Sequence, residues 1–135
     1  MNLDNLDLFK KIDTKNMLAQ IDGLPDQLQT AWELGQTQPL PDFKDIQNIV
    51  IAAMGDSALA AELTVASVFS NMRLPATVHR NYGLPAFAQG KQTLVICISH
   101  SGDTEETLDA FETALKHKCS LLVISTGGEL TKRAT

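Results

Sequence analysis

Ser99, Ser101 and Thr104 put three hydroxyls around Gly102 in the run SHSGDT. The run follows the apolar stretch TLVICI and precedes the helical pattern TEETLDAF. Packing alone asks for no such cluster between a buried strand and a helix. A small anion does. The first turn of a helix has amides without intrahelical acceptors and the positive end of the dipole, and hydroxyls add further donors. Gly102 lets the backbone curl tightly. A second loop, GDSA from Gly55 to Ala58, also lies between an apolar run and a helical pattern. Neither loop contains Lys or Arg, so a phosphate here would be held by hydroxyls and dipoles.

The same residues admit a capping reading. Asp103 and Glu106 have the spacing of a capping box, worth about 1 kcal/mol to a helix. Asp56 or Ser57 would cap the preceding helix in the same way. Capping uses one hydroxyl or carboxylate per loop and leaves the other hydroxyls beside Gly102 without a role. Glu105 and Glu106 favour the helix dipole but oppose a bound phosphate, so they are expected to point away from it.

Other reactive side chains are sparse. His79, His100 and His117 have no metal-ligand spacing, nor do Cys97 and Cys119. Both cysteines sit in or beside apolar runs and read as reduced core residues. His100 stands within the anion loop, either facing solvent or donating to a phosphate oxygen. His79 and His117 read as structural. Arg73, Arg80 and Arg133 read as solvated surface charges. No metal and no organic cofactor is implied.

Residues 1–40 read as helices: Met17, Ile21 and Leu24 share a face, and Pro25 suits the first turn of a helix carrying Leu28 and Trp32, with Gly35 as its stop. QTQPLPDFKD reads as a linker, because Pro39 and Pro41 disfavour helix and central strand. Residues 41–135 then alternate short apolar runs with helical patterns. NIVIAAM, ATVHRNYG, TLVICIS and SLLVIST are strands, the second more polar and nearer an edge. SALAAELTVASVF is a helix that is apolar almost all round, and TEETLDAFETALKHK is one with Leu108, Phe111 and Leu115 at helical spacing. Such alternation predicts an α/β three-layer sandwich with a parallel sheet covered on both faces. In the flavodoxin-like order 2-1-3-4 the two loops meet at the point where the winding reverses, outside the strand ends.

Composition narrows the partners. The chain has 135 residues, 44% of them hydrophobic, and a net charge of −5, with no basic run. That disfavours nucleic acid and anionic membrane. The N-terminal MNLDNLDLFKKID has no signal-peptide core, and no apolar run approaches a membrane span. A cytoplasmic protein is expected.

SHSGDTEETLDAF resembles the S-x-S-G-x-T-x-E-T loop of sugar isomerase (SIS) domains. MGDSALAAEL, RNYGLPAF and STGGEL, taken in order with it, resemble segments of the N-terminal half of bifunctional phosphoglucose/phosphomannose isomerases. The resemblance spans Asn48 to Leu130. It implies an SIS fold whose last strand is missing here, a phosphorylated sugar as ligand, no metal or cofactor, and homodimers. By matching position, Ser99, Ser101 and Thr104 would hold the sugar phosphate, with Gly102 shaping the turn. Gly55 and Ser57 would line the sugar, Thr126, Gly127 and Gly128 would complete the site at the fourth strand, and Tyr82 to Pro85 would shape a turn. Ala53, Asp56 and Ala61 depart from the family, which has glycine there. Asp56 would repel a phosphate by on the order of a kcal/mol at an effective dielectric near 20. In the resembled isomerases the base, the ring-opening histidine and a lysine come from a second SIS domain, and an arginine from a Pro-Arg-Ala segment beyond Thr135. The expectation is therefore the phosphosugar-binding half of an aldose–ketose isomerase, inactive on its own. The alternative is a non-catalytic SIS module that senses a phosphosugar.

Overall fold

The computed structural model of the chain describes residues 6–134. The chain divides into two units, Met1–Pro41 and Asp42–Thr135.

The first unit is helical: α1 (Leu6–Ile12), α2 (Met17–Asp22) and α3 (Leu24–Thr37). The Asp13 carboxylate accepts the amides of Leu18 (2.8 Å) and Met17 (2.7 Å), which opens α2 and holds the carboxyl below its usual range. Pro25 lies in the first turn of α3, where its missing N–H costs nothing. Gly35 does not stop this helix, which runs on to Thr37. An interior glycine costs only about 1 kcal/mol. The stop comes at Gln38, held extended by the proline that follows it. Met17, Ile21, Leu24, Leu28 and Trp32 are all exposed.

The second unit is an α/β fold. Its elements are β1 (Asn48–Ala53), α4 (Gly55–Val68), β2 (Ala76–His79), β3 (Thr93–Ser99), α5 (Glu105–Lys116), β4 (Ser120–Ser125) and α6 (Gly128–Ala134). The four strands form one parallel sheet in the order β2-β1-β3-β4. The more polar β2 is an edge strand and ends at His79, so the run from Arg80 to Gly83 is turn rather than strand.

Alternation along the strands separates the two faces. Val50, Ala52, Val95 and Cys97 point to one face and pack with Ala110, Phe111 and Ala114 of α5 and with Leu130 of α6. Ile51, Ile96 and Ile98 point to the other, beside Ala61 of α4. Helices therefore flank both faces. The buried stripe of α5 is Thr107, Ala110, Phe111 and Ala114, while Leu115 is exposed. Small residues at positions 110 and 114 let the helix sit close to the sheet, which rotates Leu115 outward. On α4 only Ala58 and Ala61 are buried, and Leu59, Leu63 and Phe69 beyond its end are exposed.

The helix α4 begins at Gly55, so GDSA is its first turn rather than a preceding loop. Its N-cap is Met54, in an extended conformation, and no side chain caps it. Neither Asp56 nor Ser57 acts as a cap. Asp103 is likewise no capping box for α5, whose N-cap is Thr104, without a side-chain capping bond.

Candidate functional site

The strand ends at Ala53, Ser99 and Ser125 are neighbours in the sheet: Ala53 pairs with Ile98 and Ser99 with Ser125. The chain leaves β1 towards β2 on one side and β3 towards β4 on the other. The winding reverses between β1 and β3, where open parallel sheets leave a crevice.

A cavity of about 500 Å³ lies there. Ser57 and Thr64 of α4, His100 after β3, Ser125 at the end of β4 and Thr126 just beyond it supply its polar lining. Ile51, Ile96, Ile98 and Ile124 form its apolar floor on the α4 face of the sheet. His100 is the only titratable side chain among the lining residues, and no carboxylate is among them.

The Ser99–Thr104 turn is built from its own side chains. Ser99 is buried, its Oγ 2.9 Å from Thr104 Oγ1 and accepting the Gly102 amide at 3.1 Å. Ser101 is exposed and its Oγ accepts the Asp103 amide at 3.2 Å. Gly102 is buried with φ +76, a conformation that favours glycine. The amides of Glu105, Glu106 and Thr107, at the start of α5, have no acceptor among the described hydrogen bonds. Glu105 is drawn aside by the Tyr82 hydroxyl, which donates to it at 3.1 Å, and Asp109 accepts the Gly83 amide. These bonds give the Tyr82–Pro85 segment its place against α5.

The β4 loop is welded to this turn. The Thr126 hydroxyl and amide both donate to the His100 carbonyl, at 2.6 and 3.2 Å. The Leu130 amide donates to the Gly102 carbonyl at 2.8 Å. Gly127 offers its carbonyl to the Ser125 and Thr131 hydroxyls. A Cβ on Gly102 would overlap the Gly127 carbonyl, and one on Gly128 would overlap the Ser101 carbonyl. Gly55 also has positive φ, +52, but a Cβ there would meet open space.

Of the residues singled out in the sequence, Ser57, Ala61, His100 and Thr126 line the cavity. Gly55, Ser99, Ser101, Gly102, Thr104 and Gly127 do not line it, but stand on the turns and helix starts around the same strand ends. The Ser99 hydroxyl and the Thr126 proton are committed to the protein itself. Sequence reasoning missed Ser125, although it ends β4 in register with Ser99 and repeats its strand-end position. It also missed α6, whose start is held from a distance. Among the described residues no cluster of His, Cys, Asp or Glu has the arrangement of a metal site. His117 sits away from the crevice, its Nδ1 2.9 Å from the Ala88 carbonyl. Arg80 pairs with Glu62, and Arg133 with Glu112 and Glu129. No helix among the described residues is long and apolar enough to cross a membrane.

No protein-family model matches the chain. Among curated proteins it is 38% identical over 119 residues to the bifunctional phosphoglucose/phosphomannose isomerase of Caldicellulosiruptor bescii, covering 87% of this chain and 35% of that protein. It is 41% identical over 87 residues to the enzyme of the same name from Thermoplasma acidophilum, covering 63% and 26%. For that of Aquifex aeolicus the figures are 35% over 94 residues, covering 69% and 29%. The chain thus spans roughly a quarter to a third of the length of these relatives.

Proposed function

The chain is a relative of the bifunctional phosphoglucose/phosphomannose isomerases and matches the N-terminal part of them, and from that premise we propose that it is the phosphosugar-binding half of an aldose–ketose isomerase. The observation that carries this reading is the start of α5. Free amides of Glu105, Glu106 and Thr107 stand behind a glycine turn bearing the Ser101 and Thr104 hydroxyls. That arrangement suits a phosphate dianion without any Lys or Arg. Ser57, His100 and Thr126 in the adjoining cavity suit the hydroxyls of a sugar.

The reaction would move a proton between adjacent carbons through an enediolate, and this needs a base. In this reading the binding half holds the substrate and the base comes from elsewhere in the full enzyme, as the resemblance implies; no carboxylate lines the cavity here. The isolated chain should then bind fructose 6-phosphate in a calorimetric titration and show no turnover of glucose 6-phosphate or mannose 6-phosphate in a coupled assay. Turnover at an ordinary enzymatic rate of about 1–10³ per second would overturn the division of labour. Failure to bind would overturn the phosphosugar reading.

The reading extends to a cytoplasmic homodimer of SIS type. The exposed Leu59 and Leu63, one turn apart on α4, support self-association, since a monomer gains nothing by leaving such residues together in water. Sedimentation should show a dimer at high concentration, and a clean monomer would contradict it.

A further inference from the structure

Asp103 stands in a loop suited to an anion, and its carboxylate opposes one. Yet it caps nothing on its own helix. Its Oδ1 accepts the amide of Glu129, 26 residues away, at 2.8 Å. Glu129 is the second residue of α6, so Asp103 satisfies a helix-start donor across the site. Beside this bond the Gly102 carbonyl accepts the Leu130 amide at 2.8 Å, and Leu130 is fully buried. The Gly102 and Gly128 backbones meet where neither tolerates a Cβ. Thr126, which lines the cavity, lies on the short segment between β4 and α6.

From these relations we infer that Asp103 is a positioning residue, clamping the β4–α6 segment onto the β3–α5 turn and thereby setting the affinity of the crevice for a phosphorylated sugar. The inference rests on the phosphosugar reading for its ligand, and on the Glu129 bond for its geometry. Asp103 touches no substrate in this account. It acts through the segment that carries Thr126. The affinity lost to its negative charge is outweighed by the affinity gained from a site assembled before the ligand arrives.

Charge and clamping make opposite demands on two variants. Asp103→Asn removes the charge and keeps an oxygen acceptor at Oδ1. Asp103→Ala removes both. The native chain and each variant are titrated with fructose 6-phosphate by calorimetry, and hydrogen exchange of the Glu129 amide is followed by NMR without ligand. Clamping predicts that Asp103→Asn binds as tightly as the native chain or up to about fivefold tighter, with Glu129 still protected. Asp103→Ala should bind at least about tenfold more weakly, with Glu129 protection lost. Tighter binding by both variants would mean that only charge matters, and equal binding by all three that Asp103 matters to neither; both results overturn the inference. If Asp103→Ala does not fold, Asp103→Glu replaces it: the charge stays, the acceptor shifts by one methylene, and weaker binding is again expected, with unchanged binding overturning the inference. Should the native chain bind no phosphosugar, the phosphosugar reading falls and the affinity half of this inference with it. The clamp itself is then decided by the exchange data: unchanged Glu129 protection in Asp103→Ala overturns it.

Discussion

The backbone of Gly102 fills the space that a Gly128 side chain would need, and Gly127, beside Gly128, fills that of Gly102. Gly102 and Gly128 both have positive φ, +76 and +72, and a Cβ on either would overlap backbone of the other loop. Backbone cannot retreat as a flexible side chain can. Gly102→Ala and Gly128→Ala should therefore each cost at least about 2 kcal/mol, combining left-handed strain with overlap. Gly55→Ala, at φ +52 but facing open space, should cost only about 1–2 kcal/mol. Denaturant unfolding of the three variants checks the ranking.

Thr107 is the one residue of the buried α5 stripe with a hydroxyl, and its Oγ1 has no hydrogen-bond partner. The chain has therefore removed a polar group from water without compensation. Thr107→Val keeps the shape and deletes the orphan. It should raise stability by up to about 1 kcal/mol, read from the shift of the unfolding midpoint. A loss of stability would mean that the hydroxyl is satisfied after all.

Burial pushes the Cys97 thiol up to about 12 from its ordinary 9.0, and also raises that of the half-buried Cys119. The thiolate is the species that reacts. At pH 8 iodoacetamide should label Cys119 well before Cys97, and Cys97 only through unfolding. The raised value also fixes a sign. Below about pH 9 Cys97 is protonated in both states, and its contribution to stability is whole. Between about 9 and 12 the unfolded chain releases the proton first, and that contribution is lost. Cys97→Ser or Cys97→Ala should flatten this part of the alkaline unfolding curve.

The sheet was legible because its signals are local. Thr93–Ser99 and Ser120–Ser125 are continuous apolar runs between turn residues, and each forms a strand within a residue of where the pattern places it. The starts of helices were less legible where the cap is not a side chain. Met54 opens α4 with backbone alone, so Gly55 and Asp56 looked like loop. Asp103 and Glu106 have capping-box spacing, but a distant amide, that of Glu129, takes the carboxylate. The short α6 left no periodic trace, because seven residues make barely two turns and Leu130 is its single buried anchor. In the site, the hydroxyl cluster was readable as chemistry. That Ser99 turns inward to bind Gly102 and Thr104, while Ser125 reaches the cavity, depends on register between strands that no local pattern contains.

In the proposed function, the turn before α5 holds the phosphate of a sugar. Ser101→Ala combined with Thr104→Ala removes two hydroxyls and leaves the buried Ser99–Gly102 bond in place. Each lost hydrogen bond to a charged group is worth about 1.5–3 kcal/mol, so calorimetric titration with fructose 6-phosphate should show binding weakened by at least roughly a hundredfold. Far-ultraviolet dichroism and the unfolding midpoint establish that the variant is folded. A folded double variant that binds as tightly as the native chain would contradict the account, and leave Ser101 and Thr104 as no more than the start of a helix.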